Sequence, residues 1–573
     1  MSVYYTQWSL VLNLAISLSA IALYALYRCL LPTPIRGIPY NPDAAKRLLG
    51  DAPDMLREVS ATGEFGVWCA KQVEKMNSPV CQVFIRPFAK PWILVADFRE
   101  SRDILMRRRE FDKSKFISDG MACLGDFHGL FQTGDAFKSN RQLVQDLMTS
   151  SFLNNFAGPA IHDMGLELVE LLGMKMKLAN GRPFSVSADI EYTAVDSMLR
   201  FAFGENWTET TLGPQIDLLR HIEPSDIGDG DLDKAVDFPK FELDGFLWSI
   251  YETPKIMERA TVSWFPKLSF WWWSKQSWYK KVFAQKNQVL KEQVRKAIDN
   301  YRSGRVKSAV EHMLMREAAR AEKHGQEPDF HSHIIADEIF GDIVAGHHTT
   351  SGAMLWLIKY LVDYPDVQIK LRTILRGKFP SAVEETRSPS FQELRSAKIP
   401  YLEACIEEMN RLNAFTVTRH ALRDTQILGY PIPRGTEVFM VSNGPGYLAP
   451  SLPVDSSKRT ETSRTAKLRD KWDDTQDLTI FQPDRWLVDS GDGNVDFDGA
   501  AGPQLVFGLG PRACWGRRLA HLELRTVIAL LIWNYELLKV PQALNSYGAH
   551  EGIARVPHVC YIRLKEAQIE KND

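Results

Sequence analysis

The 573-residue chain carries almost no net charge, formally −2 at pH 7, so nothing electrostatic favours nucleic acid as a partner. Cysteine is sparse: seven residues, at 29, 69, 81, 123, 405, 514 and 560. Their odd number and scattered spacing argue against a disulfide framework and fit a reducing, cytosol-facing compartment. No internal repeat stands out, which excludes solenoids and propellers. No G-x-G-x-x-G opens a helix after a strand, so a built-in flavin or nicotinamide domain is not indicated. Residues 1–27 lack any charged side chain. What the chain does have is apolar mass: 45% hydrophobic and 11% aromatic residues, ample for a sizeable core.

The uncharged start contains a twenty-residue run, Trp8 to Tyr27, broken only by Asn13 and scattered serines. That is the length a helix needs to cross a bilayer core. Arg28, Arg36, Lys46 and Arg47 follow it and nothing basic precedes it, which by the positive-inside rule leaves the bulk of the chain in the cytosol. A cleaved signal peptide is the rival reading, but it would need a charged leading region. We therefore expect a transmembrane anchor over 1–30, a proline-rich linker over 31–41 (Pro32, Pro34, Pro39) and one body over 42–573.

Helical periodicity dominates that body, with short strands at Pro79–Ile85, Pro91–Val95, Thr425–Tyr430 and Thr436–Ser442, the last two separated by a turn over 431–435. The expected fold class is mainly α with small segregated β-sheets, preceded by one N-terminal transmembrane helix. Residues 456–474 are polar and charge-rich and read as a solvated insertion loop. Trp271, Trp272, Trp273 and Trp278 alternate with lysines, which fits either a membrane–water interface or buried core.

The most informative stretch is Phe507-Gly508-Leu509-Gly510-Pro511-Arg512-Ala513-Cys514-Trp515-Gly516. One cysteine sits in a glycine-punctuated turn before an apolar helix, 519–531, whose N-terminus favours a thiolate. Gly510 and Gly516 permit positive φ and close approach of a flat cofactor, and Arg512 can meet a carboxylate. A buried structural cysteine is the plain alternative. The stretch resembles the cytochrome P450 cysteine-ligand signature F-x-x-G-x-R-x-C-x-G at every fixed position: Phe507, Gly510, Arg512, Cys514 and Gly516. The C-x-x-C-H pattern of covalently attached haem is absent.

Other segments resemble the same family. Ala345-Gly346-His347-His348-Thr349-Thr350, inside a proline-free apolar run over 334–361, is similar to the oxygen-activation segment A-G-x-[DE]-T-[TS]. The resemblance implies that Thr349 helps deliver protons; Gly346 leaves room for a ligand. His348 stands where the family has an acid, and either relays protons itself, marks a different chemistry, or simply bonds to neighbours. As a metal site the His347-His348 pair reads weakly, because adjacent helical residues diverge. Glu408 and Arg411 match E-x-x-R, a weak signal alone, and Pro483-Asp484-Arg485-Trp486 is similar to P-E-R-F; the resemblance implies a buried structural Glu408–Arg411–Arg485 cluster. It also implies haem-propionate roles for Arg419 and Arg141. The tryptophan that normally precedes the latter is here Phe137, which cannot donate a hydrogen bond. Pocket walls would come from the loop Phe116–Phe131 (Phe116, Met121, Leu124, Phe127, Phe131), from Val344 and Ala345, and from Ala414–Thr418.

The resemblance implies a membrane-anchored haem-thiolate monooxygenase with Cys514 as axial iron ligand and haem b (iron-protoporphyrin IX) as cofactor. It would insert one atom of O2 into a small apolar substrate. Electrons would come from a separate membrane-bound NADPH-cytochrome reductase, with the catalytic body on the cytosolic face of the endoplasmic reticulum. The N-terminal pattern looks like enzymes of filamentous fungi that modify secondary metabolites. A haem-thiolate isomerase or dehydratase needing no O2, and a non-enzymatic haem-binding protein, remain open; a cysteine hydrolase lacks a catalytic histidine motif near Cys514.

Overall fold

The computed structural model describes residues 2–87, 89–205, 207–228, 230–467, 469, 475–491 and 493–568, with side chains from residue 12 onward. Its N-terminal helix, Ser2–Leu30, leaves the body; Leu12–Leu30 is long and apolar enough to cross a membrane and none of it is buried. An unpaired helix exposing Leu12, Leu14, Ile16, Leu18, Ile21, Leu23 and Leu26 to water would be unfavourable, which is consistent with membrane anchoring. The proline-rich linker is fastened at its far end. The buried Gln82 amide accepts from the Ile35 amide at 2.8 Å and donates to the carbonyls of Ile35 and Ile38 at 2.9 and 2.8 Å.

The body is mainly helical around one long helix, His333–Asp363. Nothing in those 31 residues breaks it, and it stops at Tyr364, where the following Pro365 disfavours helical geometry. It packs most extensively on Ser187–Phe203 and also meets Gly245–Thr261, Pro400–Leu412 and Arg517–Asn534. The last of these packs along Gly158–Ala179. Gly346 permits a close approach to Ser187–Phe203: a Cβ there would meet Met198 Sδ at 2.5 Å. Met198 packs against the space it spares, and Gly346 and Met198 both line the cavity between this helix and the cysteine turn.

The sheets are small and separate, as expected. The largest joins β1 (Val80–Val83), β2 (Trp92–Val95), β3 (Phe111–Lys113), β4 (Val417–Ala421) and β5 (Glu437–Met440) in the order β1-β2-β5-β4-β3. β2 and β5 pair in parallel and the other neighbours antiparallel. Strand β4 was not evident in the sequence, and it places Arg419 opposite Lys113. The hairpin before β5 also differs from expectation. Thr425–Ile427 pairs with Tyr430–Ile432, so the chain reverses at Leu428-Gly429, with φ of 48° and 80°, rather than at 431–435.

The polar segment beginning at Ser456 is docked on the body, not simply solvated. Arg459 makes a two-pronged contact with Asp97 at 2.7 and 2.8 Å, and Thr460 and Thr462 hydrogen-bond the Asp103 carboxylate. Its polar side chains satisfy the helix Phe98–Met106, a pairing that composition cannot reveal. Residues 468 and 470–474 of that expected loop lie outside the described residues.

Candidate active site

A cavity of about 290 Å³ lies between the cysteine turn and the central helix. Cys514 and Thr349 both line it, as do Phe507, Arg512, Gly516 and Arg141. The turn is built by backbone bonds: the Cys514 amide donates to the Phe507 carbonyl at 2.7 Å and the Ala513 amide to Gly510 at 3.0 Å. Gly510 has φ of 71°, and a Cβ there would strike the Leu105 carbonyl oxygen at 2.3 Å. Only glycine fits. Gly516 differs from expectation: its φ is −75°, and it serves as the N-cap of Arg517–Asn534 with nothing within 4 Å of an added Cβ.

The accessible surface of Cys514 faces the cavity, while protein encloses the thiol on its other sides. Burial raises its pKa, against the opposing pull of the Gly516 and Arg517 amides and the Lys113 and Arg517 charges. Those amides are the donors expected to tune a bound sulfur ligand.

Lys113, Arg141 and Arg512 line the same cavity, and Arg419, which is not among the described lining residues, lies opposite Lys113 in the strand register. Arg419 Nη1 donates to its neighbour's carbonyl, Thr418 O, at 2.8 Å, but its buried Nη2 has no partner. Nη1 of Arg141 and Nη1 of Arg512 are buried and unpartnered as well. Arg141 stacks on the Trp515 ring at 3.3 Å and Arg512 on Phe137 at 3.8 Å. Burial and the charges of Arg419 and Arg512 push Lys113 down to about 8, and burial with Arg512 pushes Arg419 down to about 10. Buried donors without acceptors are costly, so this arrangement fits a cofactor carrying two carboxylates, as the propionates of haem do. Lys113 and Trp515, whose buried indole nitrogen is also unpartnered, were missed in the sequence. Lys113 lies on a three-residue strand without a motif, while Trp515 occupies a variable position of one.

On the opposite wall, Thr349 Oγ1 donates to the Ala345 carbonyl at 2.8 Å. Asp342, two turns earlier on that helix, also lines the cavity; its Oδ2 is unpartnered and burial holds its pKa well above the carboxylate range. His347 and His348 are not among the described residues lining the cavity. His348 Nε2 instead faces Glu258 at 3.9 Å, and Glu258 pairs with the surface-exposed His550 at 3.1 Å. His347 is fully buried, with its pKa driven down to about 3 by burial and then by His348.

The pocket walls are partly as expected. Met121, Leu124, Phe127, Val344 and Ala345 line the cavity. Phe116 packs away from it on Trp92, ring centroids 5.1 Å apart, and Phe131 contributes its carbonyl to Arg512 at 2.5 Å. Ala414–Thr418 likewise are not among the lining residues.

The expected charge cluster is present. Arg411 Nη2 and Nε donate to the two Glu408 oxygens at 2.8 and 2.9 Å with both side chains fully buried, and Arg485 Nε lies 3.5 Å from Glu408. Trp486 adds a donor that phenylalanine could not: its indole nitrogen bonds Glu408 Oε2 at 2.8 Å.

The Cytochrome P450 family model matches residues 125–446 and 479–557. The chain belongs to the cytochrome P450 family. This P450 is 39% identical to the cytochrome P450 monooxygenase xilC of Penicillium rubens, across 95% of its own length and 94% of the relative's. It is 37% identical to the cytochrome P450 monooxygenase TRI13 of Fusarium sporotrichioides, across 97% and 99%. A third relative, GME11363 of Pestalotiopsis microspora, shares 35% identity across 96% and 97%. The chain is thus a haem-dependent oxidoreductase of the monooxygenase type, and such enzymes use a redox partner, O2 and an organic substrate.

Proposed function

We propose that this P450 is a membrane-anchored haem b monooxygenase that hydroxylates an apolar secondary-metabolite intermediate, with electrons from a separate NADPH-cytochrome reductase. The observation that carries the reading is the two-sided cavity: Cys514 on one wall, Thr349 on the other, and unpartnered arginines at its edge. Cys514 would hold the iron of a haem through its thiolate, and the haem would supply the dioxygen chemistry. Arg141, Arg419, Arg512 and Lys113 would hold its propionates, and the Trp515 indole would donate where Phe137 cannot. Phe507, Gly510 and Gly516 would form the bed beneath it. Thr349 would hold and pass a proton at Oγ1, and His348 would link that turn to the surface through Glu258 and His550. The apolar side chains of Met121, Leu124, Phe127 and Val344 favour an apolar substrate and exclude water.

Similarity to fungal monooxygenases supports the substrate class. Exposed Val262, Leu268, Trp271 and Trp272 beside Lys267 support a second contact with the membrane surface, here assigned to the cytosolic face of the endoplasmic reticulum. The reduced, carbon-monoxide-bound protein should show the red-shifted Soret band of a thiolate-ligated haem, and Cys514→Ala should lose it. An ordinary haem spectrum in the unaltered protein would sink the reading. Label from 18O2 in the product separates a monooxygenase from an isomerase or dehydratase.

A further inference from the structure

Behind the central helix, away from the cavity, three helices bring together a second group of metal-ligating side chains. One ligand atom each from Glu191, His347 and His348 lies within 4.8 Å of the other two. His347 donates from Nδ1 to the Ile343 carbonyl at 2.8 Å, the bond that orients an imidazole and leaves Nε2 with a free lone pair. That Nε2 is fully buried and has no partner, and His348 Nε2 has no hydrogen-bond partner either. Glu258 stands 3.9 Å from His348 Nε2, and His550 braces it from outside at 3.1 Å. Gly552 makes room for this carboxylate, since a Cβ there would lie 1.8 Å from Glu258 Oε1.

A histidine that merely packs in a core has both ring nitrogens satisfied or wet. Here two imidazole nitrogens remain unsatisfied beside two carboxylates. Two neutral imidazoles and two carboxylates balance the charge of a doubly positive ion, and mixed nitrogen and oxygen donors suit a borderline transition metal rather than calcium or magnesium. Ligand atoms about 2.0–2.2 Å from such an ion sit roughly 3.4 Å apart in a tetrahedron; those of Glu191, His347 and His348 lie within 4.8 Å of one another, and Glu258 joins through His348, at 3.9 Å. The sequence alone gave no such site, because His347 and His348 diverge on one helix; the neighbouring helices carrying Glu191 and Glu258 complete it.

We propose that Glu191, His347, His348 and Glu258 form a binding site for a divalent transition-metal ion of the Zn2+ class, separate from the haem iron. A bound ion would take the His348 lone pair, and so would close the path from His550 toward Thr349; that consequence rests on the proposed monooxygenase reading, while the site itself does not.

The test is titration of the full-length, haem-loaded, chelator-treated protein with Zn2+, followed by calorimetry and by metal analysis after dialysis. One tight equivalent is expected in the unaltered protein. His347→Ala and the isosteric Glu191→Gln should each weaken it by about tenfold or more. The carbon-monoxide band should persist in both variants, showing that they fold and load haem. No saturable equivalent in the unaltered protein, or one that both variants keep at full affinity, overturns the proposal. A missing thiolate band would instead fail the haem reading and leave the zinc stoichiometry to be judged by itself.

Discussion

Replacing Glu408 by glutamine is the sharpest test of what the buried charge cluster contributes. The substitution keeps the side chain's shape and leaves an oxygen for the Trp486 indole or the Gln482 amide, which now reach Glu408 at 2.8 and 3.1 Å. It removes the carboxylate shared by Arg411 and Arg485. Arg411 is fully buried and would keep only neutral acceptors, chiefly the Tyr447 carbonyl at 2.8 Å. Breaking a buried ion pair costs about 3–5 kcal/mol. Because two guanidinium groups lose their counter-charge together, Glu408→Gln belongs at the upper end, about 5 kcal/mol. Arg411→Met leaves a carboxylate that still accepts from Trp486 and Gln482 and still faces Arg485 at 3.5 Å, so it belongs at the lower end, about 3 kcal/mol. The assay is urea unfolding of the haem-loaded protein, read by Soret absorbance and by tryptophan fluorescence, with refolding verified. A reversed order of the two variants would refute the reasoning. So would a loss below about 1 kcal/mol for Glu408→Gln, which is what a solvent-screened pair gives.

Arg419→Met should speed haem transfer to an acceptor apoprotein roughly tenfold, since one charge-assisted hydrogen bond contributes about 1.5–3 kcal/mol; an unchanged transfer rate would remove Arg419 from the propionate site. Glu523, buried beside the cavity with Oε1 unpartnered, has its pKa raised by burial from 4.5 to about 8, opposed by Ser197. The unfolded chain therefore releases this proton first, and stability falls as pH rises from 4.5 to about 8, with the penalty full above that. Glu523→Gln should flatten that fall and stabilise the protein by a few kcal/mol at alkaline pH; parallel stability curves for the two proteins between pH 6 and 9 would count against it. Thr349→Ala should raise the fraction of NADPH electrons released as hydrogen peroxide, measured with reconstituted reductase, and unchanged coupling would argue against proton handling at Oγ1.

The parts legible in the sequence are those whose physics is local. The central helix shows as a long apolar run without proline, the anchor as a span without charge, and the cysteine turn as a fixed spacing of glycine, arginine and cysteine. What the sequence hid depends on distant partners. Strand β4 exists because Val417–Ala421 lies between β3 and β5, three hundred residues apart from one of them. The docking of Arg459 on Asp97 has the same character: both residues look like ordinary surface charge until the fold opposes them. Gly516 looked like a positive-φ glycine from its motif alone, yet the turn needs that geometry at Gly508 and Gly510.

The departures from the family pattern are answered within this chain by residues elsewhere. Phe137 removes an indole donor from one wall of the cavity, and Arg512 stacks on its ring. Trp515, beside the cysteine, holds a buried indole nitrogen without a partner and lies under Arg141. Trp486 likewise brings an indole donor to Glu408 where the family pattern has phenylalanine. His348 stands on the central helix where the resembled segment has an acid, and Glu258, from the neighbouring helix, sets a carboxylate 3.9 Å from that same histidine. Phe137 and Trp515 line the same cavity, so the indole donor lost at one has a counterpart at the other, whereas Trp486 is an added donor and Glu258 is not among the described residues that line the cavity. Around Phe137 and Trp515 the cavity keeps an indole donor although the motif position does not, so a motif read position by position finds a substitution where the folded site finds a replacement.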